Sequence, residues 1–179
     1  MTRSSRTVGR PSSSIWGANN GASALWFRST YPAAHIVAVE PESSNVRVLR
    51  DNTERSRVAV IEAAIGSRSG SVDIADHGHE WGFRTTRSDT GTTPIVTIDD
   101  IVTGCPNSDL FIVKVDIEGF ENDLFSEHLE WLDDVFVVMI EPHDWMLPGS
   151  RSSAAFQEAF GQRDFDILLR GENIVYVRR

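Results

Sequence analysis

Short apolar runs alternate along the chain with segments in which apolar residues recur every three to four positions. Ile36 to Glu40, Val58 to Ala63, Leu110 to Val115 and Val135 to Ile140 are rich in Val and Ile, the pattern of strands covered on both faces. Ser12 to Trp16 reads as another strand, short or frayed, because Ser12-Ser13-Ser14 suits the centre of a parallel sheet poorly. Ala22, Leu25 and Trp26 predict a helix from Ala22 to about Thr30, ended by Tyr31-Pro32. Pro41 is placed to open a second helix at its first turn, with Val46 and Leu49 facing inward. Gly66 to Gly70 predicts a turn into an edge strand at Ser71 to Ala75, and Asp76 to Thr93, without clear periodicity, reads as a surface loop over the site. Thr97-Ile98-Asp99-Asp100 has the form of a capped helix start. Leu124, Phe125, His128 and Leu129 predict a helix over Glu121 to Leu132, and another is expected near Ser153 to Phe160. Phe165 to Leu169 and Ile174 to Val177, joined at Arg170 to Asn173, read as a closing hairpin.

Strands alternating with helices predict an α/β fold: a mostly parallel sheet with helices on both faces and a C-terminal β-hairpin. Ligands then bind outside the carboxyl ends of the strands, where the strand order reverses. A chain of 179 residues fits one such domain, placed at 15–179 after a polar tail at 1–14 that has no apolar centre and so is no secretory signal. The net charge of -9 argues against a general nucleic-acid binder, which needs clustered Lys and Arg. No stretch approaches the length of a membrane span. The lone Cys105 cannot form an internal disulfide, so a cytoplasmic location is the expectation.

Chemistry concentrates at two strand ends. The loop Gly17-Ala18-Asn19-Asn20-Gly21 lets a backbone approach a ligand closely, and a helix starting near Ala22 would aim unpaired N–H groups at it. Glu40 ends the next strand about twenty residues on, where doubly wound folds grip a ribose diol. The full Gly-x-Gly-x-x-Gly order is missing, as is a Gly-Lys-Ser/Thr, so NAD and ATP fit the pattern less well than a ribose-bearing ligand without phosphates such as S-adenosylmethionine. The bland alternative is a tight turn followed by a solvated glutamate. The second strand end is Lys114-Val115-Asp116-Ile117-Glu118-Gly119-Phe120-Glu121, where crowded carboxylates are tolerated if a cation, a ligand or a helix N-terminus stabilises them.

These two segments, with Val39-Glu40-Pro41, Ala64-Ile65-Gly66, Thr97-Ile98-Asp99-Asp100 and Ile140-Glu141-Pro142-His143, resemble in order the FkbM family of S-adenosylmethionine-dependent methyltransferases. The resemblance implies a class I methyltransferase (Rossmann-like) fold and O-methylation of a hydroxyl on a small molecule, natural product or sugar. Carried over by position, Gly17, Ala18, Asn19 and Gly21 would flank the methionine part of the cofactor, Glu40 with Pro41 would hold the ribose, Ala63 and Ala64 would lie near the adenine, and Asp116 would face the transferred methyl group. Family members usually carry an acidic residue where this chain has Ile15, and an extension ahead of the first strand where this chain has a short polar tail.

Candidate bases for the acceptor proton are Asp116, Glu118, Glu141 and His143, of which His143 has the best unperturbed pKa. His143 could instead pack beside Trp145, and Glu118 could serve helix-start electrostatics. His77 and His79, flanked by Asp76 and Glu80, suggest a metal but are more often solvated in such loops, so no metal is expected there. Asp116, Glu118 and Glu141 could together hold Mg²⁺ on an acceptor diol. Trp81 and Trp145 fall in loops that could line an acceptor pocket. The expected partner is a small-molecule or glycan acceptor, with neither nucleic acid nor membrane. A degenerate, non-catalytic binding module of the same fold is the alternative that Ile15 motivates, and a nicotinamide oxidoreductase is a third reading.

Overall fold

The structure is a computed structural model, which describes residues 10–16, 18–76, 83–105, 108–146 and 148–179. Its main sheet has seven strands. Five of them are β1 (Arg10–Trp16), β2 (His35–Glu40), β3 (Val58–Glu62), β8 (Ser108–Val115) and β9 (Val137–Ile140); the last two form the hairpin β10 (Phe165–Arg170) and β11 (Asn173–Arg178). The order is β10-β11-β9-β8-β1-β2-β3. Neighbours from β3 to β9 run parallel, and β11 enters antiparallel to both β9 and β10.

Alternation along the strands feeds two apolar layers. Val37 and Val39 of β2 pack with Val113, Val115, Val138 and Ile140 beneath α3 (Ile98–Thr103), α4 (Glu121–Leu124) and α5 (Ala154–Gly161). Ile36 and Ala38 face the other way, with Ile112, onto Ala24 and Phe27 of α1 (Ala22–Thr30) and Leu49 of α2 (Ser43–Thr53). Helices therefore cover both faces, as the sequence pattern implied. Thr97 caps α3 in a reciprocal box, accepting from Asp100 N at 3.1 Å while Asp100 accepts from Thr97 N at 2.9 Å.

A second, mixed sheet was not expected. It has the order β4-β7-β5-β6, from β4 (Ala64–Ile65), β7 (Thr93–Val96), β5 (Gly70–Asp76) and β6 (Phe83–Arg87). The segment read as an edge strand at 71–75 is thus paired on both sides, by β6 and β7. Within the expected loop at 76–93, Phe83 to Arg87 form the strand β6. Phe83-Arg84-Thr85-Thr86-Arg87 lacks apolar alternation, and its pairing comes from the partner strand rather than its own pattern. Arg87 reaches out of this sheet to make two hydrogen bonds to the Asp123 carboxylate, which also accepts from Ser67 N at 3.1 Å. That network ties the small sheet to α4 and so to one wall of the site.

Three other expectations need correction. β1 starts at Arg10, inside the stretch assigned to the polar tail. Pro41 does not open α2: Glu42 is the cap, accepting from Asn45 N at 2.7 Å, and the helix begins at Ser43. The helix expected over 121–132 stops at Leu124 and resumes only as a 3-10 turn at Glu130–Asp133. Ser126 Oγ donates to Asp123 O at 2.7 Å and His128 takes a positive φ of 56°, so the chain bends and still buries Leu124, Phe125, Trp131 and Leu132.

Candidate active site

Chain order reverses between β1 and β8, and the loops after β1, β2, β8 and β9 converge at the carboxyl ends. A cleft open to solvent lies there, lined by Asn19, Glu40, Pro41, Asn45, Ala63, Ala64, Thr85, Asp116 and Glu118, with Val39, Ile65, Ile117 and Phe120 as its apolar part.

Glu40 dominates one end. It is 5% exposed, and its carboxylate accepts from Asn19 N (2.8 Å), Glu42 N (3.1 Å) and Asn45 Nδ2 (3.3 Å). Burial pushes its pKa up, and these hydrogen bonds pull against that shift. Two carboxylate oxygens can accept about four bonds, so capacity remains for a hydroxyl. Ala63 and Ala64 are buried, and their small side chains leave room for a flat ring above them.

The glycine loop is divided. Asn19, with φ 45°, lines the cleft, while Ala18 is buried behind it, its N–H donating to Val39 O at 3.2 Å. Gly21 precedes α1 with φ 89°, and a Cβ there would meet Leu49 Cδ1 at 2.7 Å; its place is in the α1–α2 packing. Gly17 lies outside the described residues, as do His77, His79, Glu80 and Trp81, and the Asp76 side chain is likewise not described. Trp145 is 68% exposed, while His143 is buried.

At the other end β8 stops at Val115, and Glu118 (φ 50°) and Gly119 (φ 93°) turn the chain sharply into α4. A non-glycine residue in the left-handed region costs about 1 kcal/mol or more, a strain typical of functional loops. The turn brings Asp116 and Glu121 to opposite sides of His143. His143 is 3% exposed, with Nδ1 2.7 Å from Glu121 Oε1 and Nε2 3.6 Å from Asp116 Oδ1 and 4.0 Å from Glu141 Oε1. Glu121 is fully buried and its Oε2 has no hydrogen-bond partner among the described residues. Lys114 Nζ holds the other Asp116 oxygen at 2.6 Å.

These contacts set the charges. Burial alone would lower the His143 pKa, but the Glu121 hydrogen bond and the charges of Glu121, Asp116 and Glu141 raise it overall. Burial, then Asp116 and Glu172, push Glu141 up. Asp116, Glu141 and His143 offer ligand atoms within 4.8 Å of one another, so they could hold a metal. Glu121, Asn45, Thr85 and Lys114 were not among the expected site residues. Glu121 was legible, since it stands three and four places before the apolar Leu124 and Phe125 and so shares their inward face.

The strand order, the closing hairpin and a cleft at the reversal point define the class I methyltransferase architecture. A model of the methyltransferase FkbM domain matches residues 16–162, and the chain belongs to that family. Methyltransferase FkbM from Methylobacillus flagellatus KT superposes with a TM-score of 0.63 at 18% identity, covering 94% of this chain and 43% of that one. The bifunctional kinase-methyltransferase WbdD gives 0.53 at 14%, covering 94% and 35%. A putative caffeoyl-CoA O-methyltransferase from Staphylococcus aureus gives 0.57 at 8%, covering 95% and 77%. The chain thus spans less than half the length of the first two. No curated protein matches it in sequence. Among the described residues no helix is long and apolar enough to cross a membrane.

Proposed function

We propose that the chain uses S-adenosylmethionine to methylate a hydroxyl of a small molecule or glycan. The observation that carries this reading is the buried Glu40 carboxylate, fixed by three donors at one end of a cleft whose floor is Ala63 and Ala64 and whose other end is Asp116. The donor set suits the ligand: an acceptor carboxylate for a ribose diol and an apolar slot with Ile65 and Phe120 for a purine. Bound there, the cofactor would supply a methyl group on a sulfonium sulfur that keeps the bonding pair as the methyl leaves. The chain's share is to hold the acceptor hydroxyl in line and to pass its proton to the cluster of Asp116, Glu141 and His143, with Glu118 at the lip.

Incubation with S-adenosylmethionine and a panel of hydroxylated acceptors tests the proposal, S-adenosylhomocysteine being the product measured. Ligand at about a hundred times its Kd should add ~2.7 kcal/mol, a rise of about 5–10 °C in Tm. A melting shift with NADH and none with either adenosyl ligand would overturn it. Ile15, in place of the acidic residue that the family resemblance implies, favours a second reading as a binding module; adenosyl ligand bound without turnover of any acceptor would support that one.

A further inference from the structure

We propose that Asp116, Glu141 and His143 form a divalent-cation site at the acceptor end of the cleft, with Glu121 as the buried carboxylate behind the histidine. The geometry is the first argument. Ligand atoms bound to one cation at about 2.0–2.2 Å lie roughly 3–4 Å from one another. His143 Nε2 stands 3.6 Å from Asp116 Oδ1 and 4.0 Å from Glu141 Oε1, and all three ligand atoms fall within 4.8 Å. Lys114 takes the far oxygen of Asp116 and leaves Oδ1 turned toward the imidazole.

The histidine supplies the second, independent argument. It is 97% buried, and Glu121 engages Nδ1 at 2.7 Å, which fixes the ring and directs Nε2 between the two carboxylates. Nε2 makes no hydrogen bond within 3.5 Å among the described residues. With Nδ1 engaged by Glu121, Nε2 is directed between two anionic oxygens, a place that stabilises either a second ring proton or a metal cation, and a cation there can bond all three groups. Carboxylate–histidine–metal relays are built this way, the outer carboxylate setting the tautomer and raising the basicity of the ligand nitrogen.

Two carboxylates and one imidazole suit an ion that accepts mixed oxygen and nitrogen ligands, such as Mn²⁺ or Co²⁺. Three protein ligands leave coordination positions free, and Asp116, which lines the cleft, links the site to it. The free positions would take two neighbouring oxygens of an acceptor, a vicinal diol or a hydroxy acid, and a cation lowers the pKa of a bound hydroxyl. This acceptor role rests on the methyl-transfer reading; the cation site does not.

The test is titration of the full chain with Mn²⁺ alone, followed by electron paramagnetic resonance. The expected result is one Mn²⁺ per chain with nitrogen hyperfine coupling from the imidazole. His143→Gln should remove the coupling, and Glu121→Gln should weaken binding about ten- to a hundred-fold. Circular dichroism checks that each variant is folded, and Glu141→Gln replaces any that is not. No bound Mn²⁺ in the wild-type chain, binding without nitrogen coupling, or equal binding by folded variants overturns the site. The melting shift with S-adenosylhomocysteine, measured on the same sample without metal, separates the readings. A shift without Mn²⁺ binding defeats the cation site alone, and Mn²⁺ binding without a shift defeats the acceptor role alone.

Discussion

Replacing Glu40 separates its two tasks, holding the junction between β1, β2 and α2 and receiving the cofactor. Glu40→Ala removes the acceptor of Asn19 N, Glu42 N and Asn45 Nδ2. The asparagine amide can turn to water, but the two backbone donors sit around a side chain that is 5% exposed. Leaving a buried donor unpaired costs about 1–3 kcal/mol, so two of them predict a loss of about 2–4 kcal/mol after partial access of water. For a chain of this size that is a fall of roughly 4–16 °C in Tm. Weak ligand binding by the alanine variant would therefore confound a lost contact with a loosened loop.

Glu40→Gln is the cleaner perturbation, because it keeps the shape and one carbonyl oxygen and removes only the charge. Hydrogen bonds to a charged group are worth about 1.5–3 kcal/mol, so the affinity for S-adenosylhomocysteine should drop about ten- to a hundred-fold while Tm without ligand moves far less than in the alanine variant. Isothermal titration calorimetry and differential scanning calorimetry read the two quantities. The pH dependence supplies a second check. Burial raises the Glu40 pKa, so wild-type affinity should start to fall, on acidification, at a higher pH than an ordinary glutamate would dictate, and the glutamine variant should lack that limb. Unchanged affinity in Glu40→Gln would place the ribose elsewhere and refute the reasoning.

Asp116→Asn and His143→Gln should each lower turnover by a factor of about 10²–10⁴ with little change in S-adenosylhomocysteine affinity; near-native kcat in both would remove the cluster from the chemistry. His143 also links stability to pH: its folded pKa is raised above 6.5, so its contribution is complete below that value and is lost as pH rises through the folded pKa. Denaturant melts across that window should show the loss in wild type and a flatter profile in His143→Gln. Thr97→Ala should cost about 1 kcal/mol, a fall of roughly 2–4 °C in Tm, by breaking the box at the start of α3, and an unchanged melt would mean that the cap contributes nothing.

The central strands were legible because a strand covered on both faces must be largely apolar, and 36–39 and 110–115 satisfy that with Lys114 as the exception near a strand end. Glu40 was legible for the complementary reason: a charged residue that ends such a run must lie at its rim. The small sheet was not, since β6 carries two arginines and two threonines and owes its strand geometry to pairing with β5. The break after Leu124 was equally hidden. The apolar spacing of Leu124, Phe125 and Leu129 fits a continuous helix, and only the three-dimensional course shows that a bend at His128 lets Trp131 and Leu132 reach the core as well.

The acidic rim itself follows from the turn after β8. In a straight strand-to-helix connection the residues at 116 and 121 would point apart, and each carboxylate could find water. Glu118 and Gly119, both with positive φ, fold the chain back so that Asp116 stays at the strand end while Glu121, the first residue of α4, drops into the core beneath it. A buried carboxylate needs a partner, and the next strand end provides one: His143, two residues beyond Glu141, is the group that meets it. Once the imidazole is fixed by Glu121, its second nitrogen has one direction left, toward Asp116 and Glu141. A single left-handed turn thus converts a row of acids into a site with a buried anchor, a fixed histidine and two carboxylates, of which Asp116 lines the cleft.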